Sequence, residues 1–144
     1  MLSRLTIPRK SFLTDINILL PQLSSSAKKL PFRDLKKMVR DKNTVFLVFK
    51  DGRKVIGMGL LCFLLTPVGL RVRIEDMVVD KDYRGRGLGS KLTTRLIQEA
   101  KKKNARWIEF TSRKDRVATN RFYQKFGFKP RDETNVYRLS FEKK

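Results

Sequence analysis

No histidine occurs among the 144 residues, and Cys62 is the only cysteine. The missing histidine removes the Ser-His and Cys-His couples of nucleophilic catalysis and the usual histidine-bearing zinc sites, so no metal is expected. A lone cysteine forbids an internal disulfide and suits a reducing compartment, which makes the cytoplasm the expected location. Long apolar runs are missing too. No stretch approaches the roughly 18 residues of a membrane span, and MLSRLTIPRK has no apolar run ahead of a small-residue cleavage site. Repeats, low-complexity segments and linkers are also absent, so 1–144 is expected to form a single domain around one core.

Acidic residues are scarce: 14, against 34 lysines and arginines, for a formal charge of +20. Acid–base chemistry must fall to those few carboxylates, to tyrosine, to lysine or to water. A field of this sign attracts polyanions and speeds their encounter at low salt. One reading is a solvated surface of a generally basic protein, or a field that recruits a multiply phosphorylated cofactor. The other is weak association with RNA, ribosomes or another acidic partner. The charge is spread through AKKLPFRDLKK, KKKNAR and SRKDR rather than gathered on one helix, and the first reading is preferred.

What is present punctuates the chain clearly. Residues 1–7 read as a strand stopped by Pro8. Ser11 or Thr14 can cap a helix carrying Ile16, Leu19, Leu20 and Leu23, with Pro21 weakening its end. Pro31 suits the first turn of a second helix over 31–40, with Leu35, Met38 and Val39 inward. Residues 44–50 form a strand, Asp51-Gly52 a hairpin turn, and 55–65 the returning strand. A turn at 66–69 leads into a third strand over 71–80. Leu88, Leu92, Leu96, Ile97 and Ala100 then recur at three- and four-residue steps, the mark of one buried helix face. Residues 106–112 make a strand expected to run parallel to the 71–80 strand across a right-handed crossover. A short helix over 115–126 closes at Gly127, and 128–131 with 135–141 are expected to make a final strand pair.

The join between the third strand and its helix is Arg84-Gly85-Arg86-Gly87-Leu88-Gly89. A glycine turn at the positive end of a helix exposes N–H groups and suits phosphate. It is not a P-loop, and its alternating glycines are a poor dinucleotide fingerprint. Arg84, Gly87 and Gly89 instead fit Arg-x-x-Gly-x-Gly, which resembles the pyrophosphate motif of the GNAT family of N-acetyltransferases. The segment 120–128, NRFYQKFGF, resembles that family's later helix with its tyrosine and Gly-Phe ending. The resemblance runs from about residue 44 to residue 141. It implies an α/β (α+β) fold: a mixed, mostly antiparallel sheet with a central parallel pair and helices on both faces.

The resemblance also implies roles. Acetyl-CoA would be the acetyl donor. Its pantetheine arm would bond the backbone of Met77, Val78 and Val79 where two parallel strands splay apart. Its pyrophosphate would sit on the amides of Arg84, Gly85, Arg86, Gly87, Leu88, Gly89 and Ser90, with Arg84 and Arg86 adding charge. Tyr123 would protonate or hydrogen-bond the leaving thiolate, turned aside from a core made by Phe122 and Phe126. Glu75 is preferred as base or acceptor ligand. Asp76 is the alternative, since neighbours on a regular strand point to opposite faces and one of the two can pair with Arg71 or Arg73. The run Ile74-Glu75-Asp76 resembles the glucosamine-6-phosphate N-acetyltransferase branch.

Departures from the family pattern limit the carry-over. Arg116 stands where many members have a cofactor-contacting asparagine, and Asn120 lies one turn before Tyr123. Arg113, Lys114 and Arg116 can instead meet the cofactor's 3′-phosphate or an anionic acceptor. Thr111 replaces a glutamate found in members that acetylate protein N-termini, which weakens that substrate class. Cys62 lies in the apolar run LLCFLL as a small hydrophobe rather than a nucleophile, so transfer is expected to be direct. The expected protein is a monomer or homodimer, bound to no membrane, that acetylates a primary amine on a small molecule or peptide. The competing reading is a basic nucleic-acid- or ribosome-binding module that keeps the fold without turnover.

Overall fold

Strand-forming residues cluster where the chain has to be buried on both sides. Val45, Phe46, Leu47 and Val48 are all buried, as are Val55, Ile56, Met58, Leu60 and Leu61 in the next strand. A continuous apolar strand of this kind needs cover on both faces. The computed structural model describes residues 1–141, so the last three residues of the expected 1–144 span lie outside it. Its chain contacts group into two compact units, residues 1–111 and the residues from Ser112 on.

The first unit holds a five-stranded sheet in the order β1-β2-β3-β4-β5. The strands are β1 (Leu2–Arg4), β2 (Thr44–Asp51), β3 (Lys54–Thr66), β4 (Gly69–Val79) and β5 (Trp107–Glu109). β1 to β4 pair antiparallel, and β5 joins β4 in parallel. One face carries α1 (Lys10–Leu23) and α2 (Phe32–Arg40). Ile16, Leu19 and Leu35 from these helices meet Leu5, Phe46, Val48, Val55, Met58, Leu60 and Val78 in a single core. The opposite face carries α3 (Leu88–Lys102), whose buried stripe is Leu92, Leu96 and Ala100. Gly59 of β3 lets α3 close in: a Cβ there would stand 3.2 Å from Leu96 Cδ1. The mixed sheet and the helices on both faces are as the resemblance implies, but the parallel pair β4–β5 stands at the sheet's edge rather than at its centre, because no strand pairs beyond β5 among the described residues.

Side-chain ties fix the helices on the sheet. Asp15 Oδ2 accepts the Val55 amide at 2.8 Å. Asn17 exchanges two hydrogen bonds with Leu30, holding the α1–α2 connection. Pro21 sits inside α1, and the helix still closes with Ser24 N–H bonding Leu20 O.

Several expectations change at the ends of elements. Neither Ser11 nor Thr14 caps α1: the N-cap is Arg9 without a side-chain cap, and Thr14 Oγ1 donates back to Lys10 O. Pro31 is the N-cap of α2 rather than its first residue. β5 is three residues long instead of seven: only Trp107, Ile108 and Glu109 pair with β4, although β4 itself runs on to Val79. The expected strands at 128–131 and 135–141 do not form. The turn between them exists, with Thr134 N–H bonding Arg131 O at 3.2 Å. A strand needs a ladder, and none of these residues has one. Val136, Tyr137, Leu139 and Phe141 stay exposed. In this second unit the regular element is α4 (Val117–Gln124), shorter than the expected 115–126, followed by Gly127 at φ +88°. Among the described residues no helix is long and apolar enough to cross a membrane.

Candidate active site

The parallel pair ends early. Its register runs Arg71↔Trp107, Val72↔Ile108 and Arg73↔Glu109, and there β5 stops. β4 continues to Val79, so Met77, Val78 and Val79 lie beyond the β5 ladder. The pairing thus ends short of the stretch where the resemblance implies a bound extended chain. One of the expected backbone groups is engaged: Val79 O accepts Arg84 Nε at 3.0 Å. Met77 also faces α3, where Thr93 Oγ1 contacts its sulfur at 3.5 Å.

A β-bulge lies in the same stretch. Met58 pairs with Val78 and Leu60 with Glu75, so Gly59 alone opposes both Asp76 and Met77. Asp76 takes a left-handed backbone at φ +51°, a conformation costing an L-residue about 1–2 kcal/mol. The expected strict alternation of Glu75 and Asp76 is therefore wrong, because the bulge breaks the two-residue period between them.

Glu75 shares the helix α1–α2 face of the sheet with Arg71, Arg73 and Glu109. Arg73 bonds Glu75 Oε1 through Nε at 2.9 Å and Glu109 Oε1 through Nη1 at 3.2 Å. Arg71 Nη2 reaches the same Glu109 oxygen at 3.1 Å, and Trp107 Nε1 donates to Oε2 at 3.2 Å. Burial alone would raise the Glu109 pKa, but Arg71, Trp107 and Arg73 together hold it below the ordinary carboxylate range. Asp76 has no ion-pair partner among the described residues. Partial desolvation, then the neighbouring Glu75 charge, push its pKa up. Cys62 is opposite Arg73 in the ladder. Burial first, then Glu75, Asp76 and Asp41, raise its thiol pKa and leave it a poor nucleophile.

After Val79 the chain passes through Asp80 and a 3₁₀ turn, Lys81–Tyr83, into residues 84–89. Gly85 and Gly87 stand at φ +75° and +73°, and an added Cβ at either would meet nothing within 4 Å. Gly87 is the N-cap of α3, whose first turn has no side-chain cap and no acidic residue. Helix geometry leaves the N–H groups of Leu88, Gly89 and Ser90 without an intrahelical acceptor. Open space, glycine backbone and the positive helix end together fit a pyrophosphate. The arginines do more shaping than expected. Arg84 bonds Val79 O, while Arg86 donates to Asp82 O and stacks 5.0 Å over Tyr83.

In the second unit Tyr123 is 7% exposed and is the buried residue of α4. The expected arrangement is reversed, with Phe122 and Phe126 only half-buried. Phe122 and Phe128 stand edge-on to the Tyr123 ring at 5.1 and 5.8 Å. Burial pushes the Tyr123 pKa up to about 12, with the Arg116 charge pulling the other way. Asn120 is occupied locally, its Nδ2 donating to Arg113 O at 3.0 Å. Arg116 is the N-cap of α4.

Glu109, Trp107 and Asp80 are absent from the sequence-derived site. Alternation places Arg71 and Arg73 on one face of β4, and Glu109 two residues before Thr111 was a signal for a charge ladder across the pair. Gly57 and Gly59 inside an apolar strand were a signal for the bulge.

The sequence profile of the Acetyltransferase (GNAT) family matches residues 15–128. A curated relative, an uncharacterized N-acetyltransferase of Methanocaldococcus jannaschii, is 29% identical over 97 residues, 66% of this chain and 43% of that protein. The chain thus spans less than half of that relative's length. Among solved structures, a transcriptional regulator from Bacillus halodurans C-125 superposes with TM-score 0.82 at 26% identity, covering 98% of this chain and 100% of that one. An acetyltransferase from Trypanosoma brucei superposes with TM-score 0.77 at 26% identity, covering 96% and 99%.

Proposed function

From a chain that belongs to the acetyltransferase (GNAT) family, we propose an N-acetyltransferase that moves acetyl from acetyl-CoA directly to a primary amine in a ternary complex. The observation that carries this reading is the open glycine turn at the start of α3, at the end of a strand that has left its parallel neighbour. The family match crosses both units, which supports reading 1–144 as one acetyltransferase domain. Acetyl-CoA would lie with its pyrophosphate on the amides of residues 84–90 and its pantetheine along Met77, Val78 and Val79. Its thioester supplies an activated acyl group; the protein supplies position and proton management.

The amine nitrogen bonds to the acyl carbon as the C–S bond breaks, one proton leaves the nitrogen, and the sulfur leaves with its electron pair. Glu75, held by Arg73, is suited to hold the acceptor amine. Asp76, unpaired and with a raised pKa, is the better proton acceptor, directly or through water. Tyr123 donates a hydrogen bond to the leaving sulfur. Arg116 and Asn120 remain the α4 residues assigned to cofactor binding. A high Cys62 pKa supports direct transfer over a covalent relay.

A base works only when deprotonated, so activity should rise with pH through the Asp76 pKa, above the ordinary carboxylate value. Asp76→Asn is expected to abolish that acid limb in kcat/KM. Glu75→Gln removes a negative charge that raises the Asp76 pKa, so it should shift the limb to lower pH and raise the acceptor KM. Loss of the limb in Glu75→Gln and its survival in Asp76→Asn would exchange the two roles.

The reading itself is tested by thermal melting with and without acetyl-CoA. Ligand at a hundredfold over its dissociation constant adds about 2.7 kcal/mol, roughly 5–10 °C for a chain of this size. A shift justifies a screen of amines for acetylation. No shift in well-folded protein overturns the enzyme reading, and RNA binding in low salt then tests the basic-module alternative.

A further inference from the structure

Asp80 is 3% exposed, although it sits between an edge of the sheet and a solvent-facing turn. Its backbone first completes the ladder, with Asp80 N–H bonding Ile56 O at 2.8 Å. Its carbonyl then accepts Tyr83 N–H at 2.9 Å, closing the 3₁₀ turn. Its side chain and the next residue together gather three separate parts of the chain. Oδ1 accepts the Asp82 amide at 3.2 Å, and Oδ2 meets Lys54 Nζ of β3 at 3.4 Å. Gln22 of α1 accepts the Lys81 amide through Oε1 at 2.8 Å, tying the helix to the residue next to Asp80. Burial alone would raise the Asp80 pKa; the Asp82 amide, Lys54 and Gln22 outweigh it and hold the group ionised.

The turn downstream needs such an anchor. Gly85 and Gly87 are both in the left-handed region, and an added Cβ at either would meet nothing within 4 Å, so within residues 85–87 the tie is Arg86, which reaches back to Asp82 O and the Tyr83 ring and so leans on the 81–83 turn. On the far side the chain is fixed by α3, through buried Leu92 and Leu96. On the near side it is fixed by Asp80 alone among buried polar groups, with help from Tyr83, whose hydroxyl donates to Asp51 Oδ2 at 3.0 Å. Lys54 reinforces both, since its ammonium also lies 5.5 Å over the Tyr83 ring.

We propose that Asp80 is a positioning residue for cofactor binding, acting through the 81–83 turn to hold the amides of residues 84–90 in place before the ligand arrives. Backbone freedom removed in the free protein is freedom the ligand does not have to quench, so the anchor acts on affinity for CoA. The inference rests on the reading of that turn as the pyrophosphate site. Gln22 makes α1 part of the same anchor, so the helix beside the Glu75 face of the sheet and the cofactor turn share one buried joint.

The test is calorimetric binding of CoA to wild type, Asp80→Ala, Asp80→Asn and Lys54→Met, with kcat and both KM values wherever an acceptor is in hand. Asp80→Ala should raise the CoA dissociation constant about tenfold, as expected when a charged hydrogen-bond acceptor is lost. Asp80→Asn keeps an acceptor for the Asp82 amide and loses the charge facing Lys54, so its rise should be smaller and should match Lys54→Met. Amides 81–87 should exchange hydrogen faster than wild type in the free variants and equally fast with CoA bound. A kcat at saturation within about twofold of wild type belongs to the same expectation, because the positioning affects binding rather than transfer.

A lower melting temperature with an unchanged CoA dissociation constant would make Asp80 a folding residue and overturn the proposal. So would a fall in kcat with affinity intact. If Asp80→Ala does not fold, Lys54→Met carries the test, since Lys54 is half-exposed and its loss leaves no buried cavity. Wild type that binds no CoA would overturn the functional reading; wild type that binds beside variants that bind equally well would overturn this inference only.

Discussion

Gly87→Glu should lose acetyl-CoA binding by about two orders of magnitude or more while the protein still folds. The fold and the ligand feel this change differently. At φ +73° any side chain is strained by about 1–2 kcal/mol, which lowers the melting temperature by roughly 2–8 °C. No atom lies within 4 Å of the added Cβ, so no clash adds to that cost. The new carboxylate even recovers about 0.3–1 kcal/mol from the positive end of α3, whose first turn has no acidic residue of its own. The same recovery is what would exclude the ligand: a fixed anion then occupies the amides proposed for the pyrophosphate and repels its charges. Gly87→Ala separates strain from charge, and it should melt lower than Gly87→Glu yet keep most of its affinity. Calorimetry and melting with CoA on both variants check this. Binding by Gly87→Glu at wild-type strength would move the phosphate site away from this turn.

That turn was legible in the sequence because its grammar is local. Arg84, Gly87 and Gly89 lie within six residues, and the Leu92, Leu96, Ala100 stripe that follows is set by helix period alone. β2, β3 and β4 were legible for the same reason, the first two as apolar runs and β4 as a stretch rich in Val, Ile and Met, each between turn signals. What escaped is what pairing decides. Asp76 takes a glycine's conformation only because β3 and β4 are out of register by one residue at Gly59. Glu109 matters only because parallel pairing sets it beside Arg73 and within reach of Arg71. Asp80 meets Lys54 from 26 residues away, and the residue after it is held by Gln22 of α1, far back in the chain. Residues 135–141 show the opposite error: alternation gave them a strand's pattern without supplying a partner. Local propensity proposes a strand, and only a ladder forms one.

Tyr123→Phe removes one oxygen and keeps the ring that Phe122 and Phe128 pack against, so it isolates the hydroxyl. Two roles for that hydroxyl differ in size. With a pKa of about 12, it is a weaker acid than an ordinary thiol, near 8.5, by about 3.5 units. Handing over its proton outright would run uphill by nearly 5 kcal/mol, whereas hydrogen-bonding a developing thiolate is worth about 1.5–3 kcal/mol. The hydrogen bond is therefore the role with the favourable energetics, and kcat should fall about tenfold to 150-fold rather than by the 10⁴ at the upper end of acid catalysis. The acetyl-CoA KM should stay within about twofold, since the interaction grows only as charge develops on sulfur. A hydroxyl that stays protonated to about pH 12 also predicts no alkaline fall in kcat from Tyr123 below about pH 10. An acetyl thioester of a more acidic thiol, whose thiolate leaves without help, should narrow the gap between the variant and wild type. An unchanged kcat with CoA would make Tyr123 a packing residue of α4, and the search for a donor to the sulfur would pass to water.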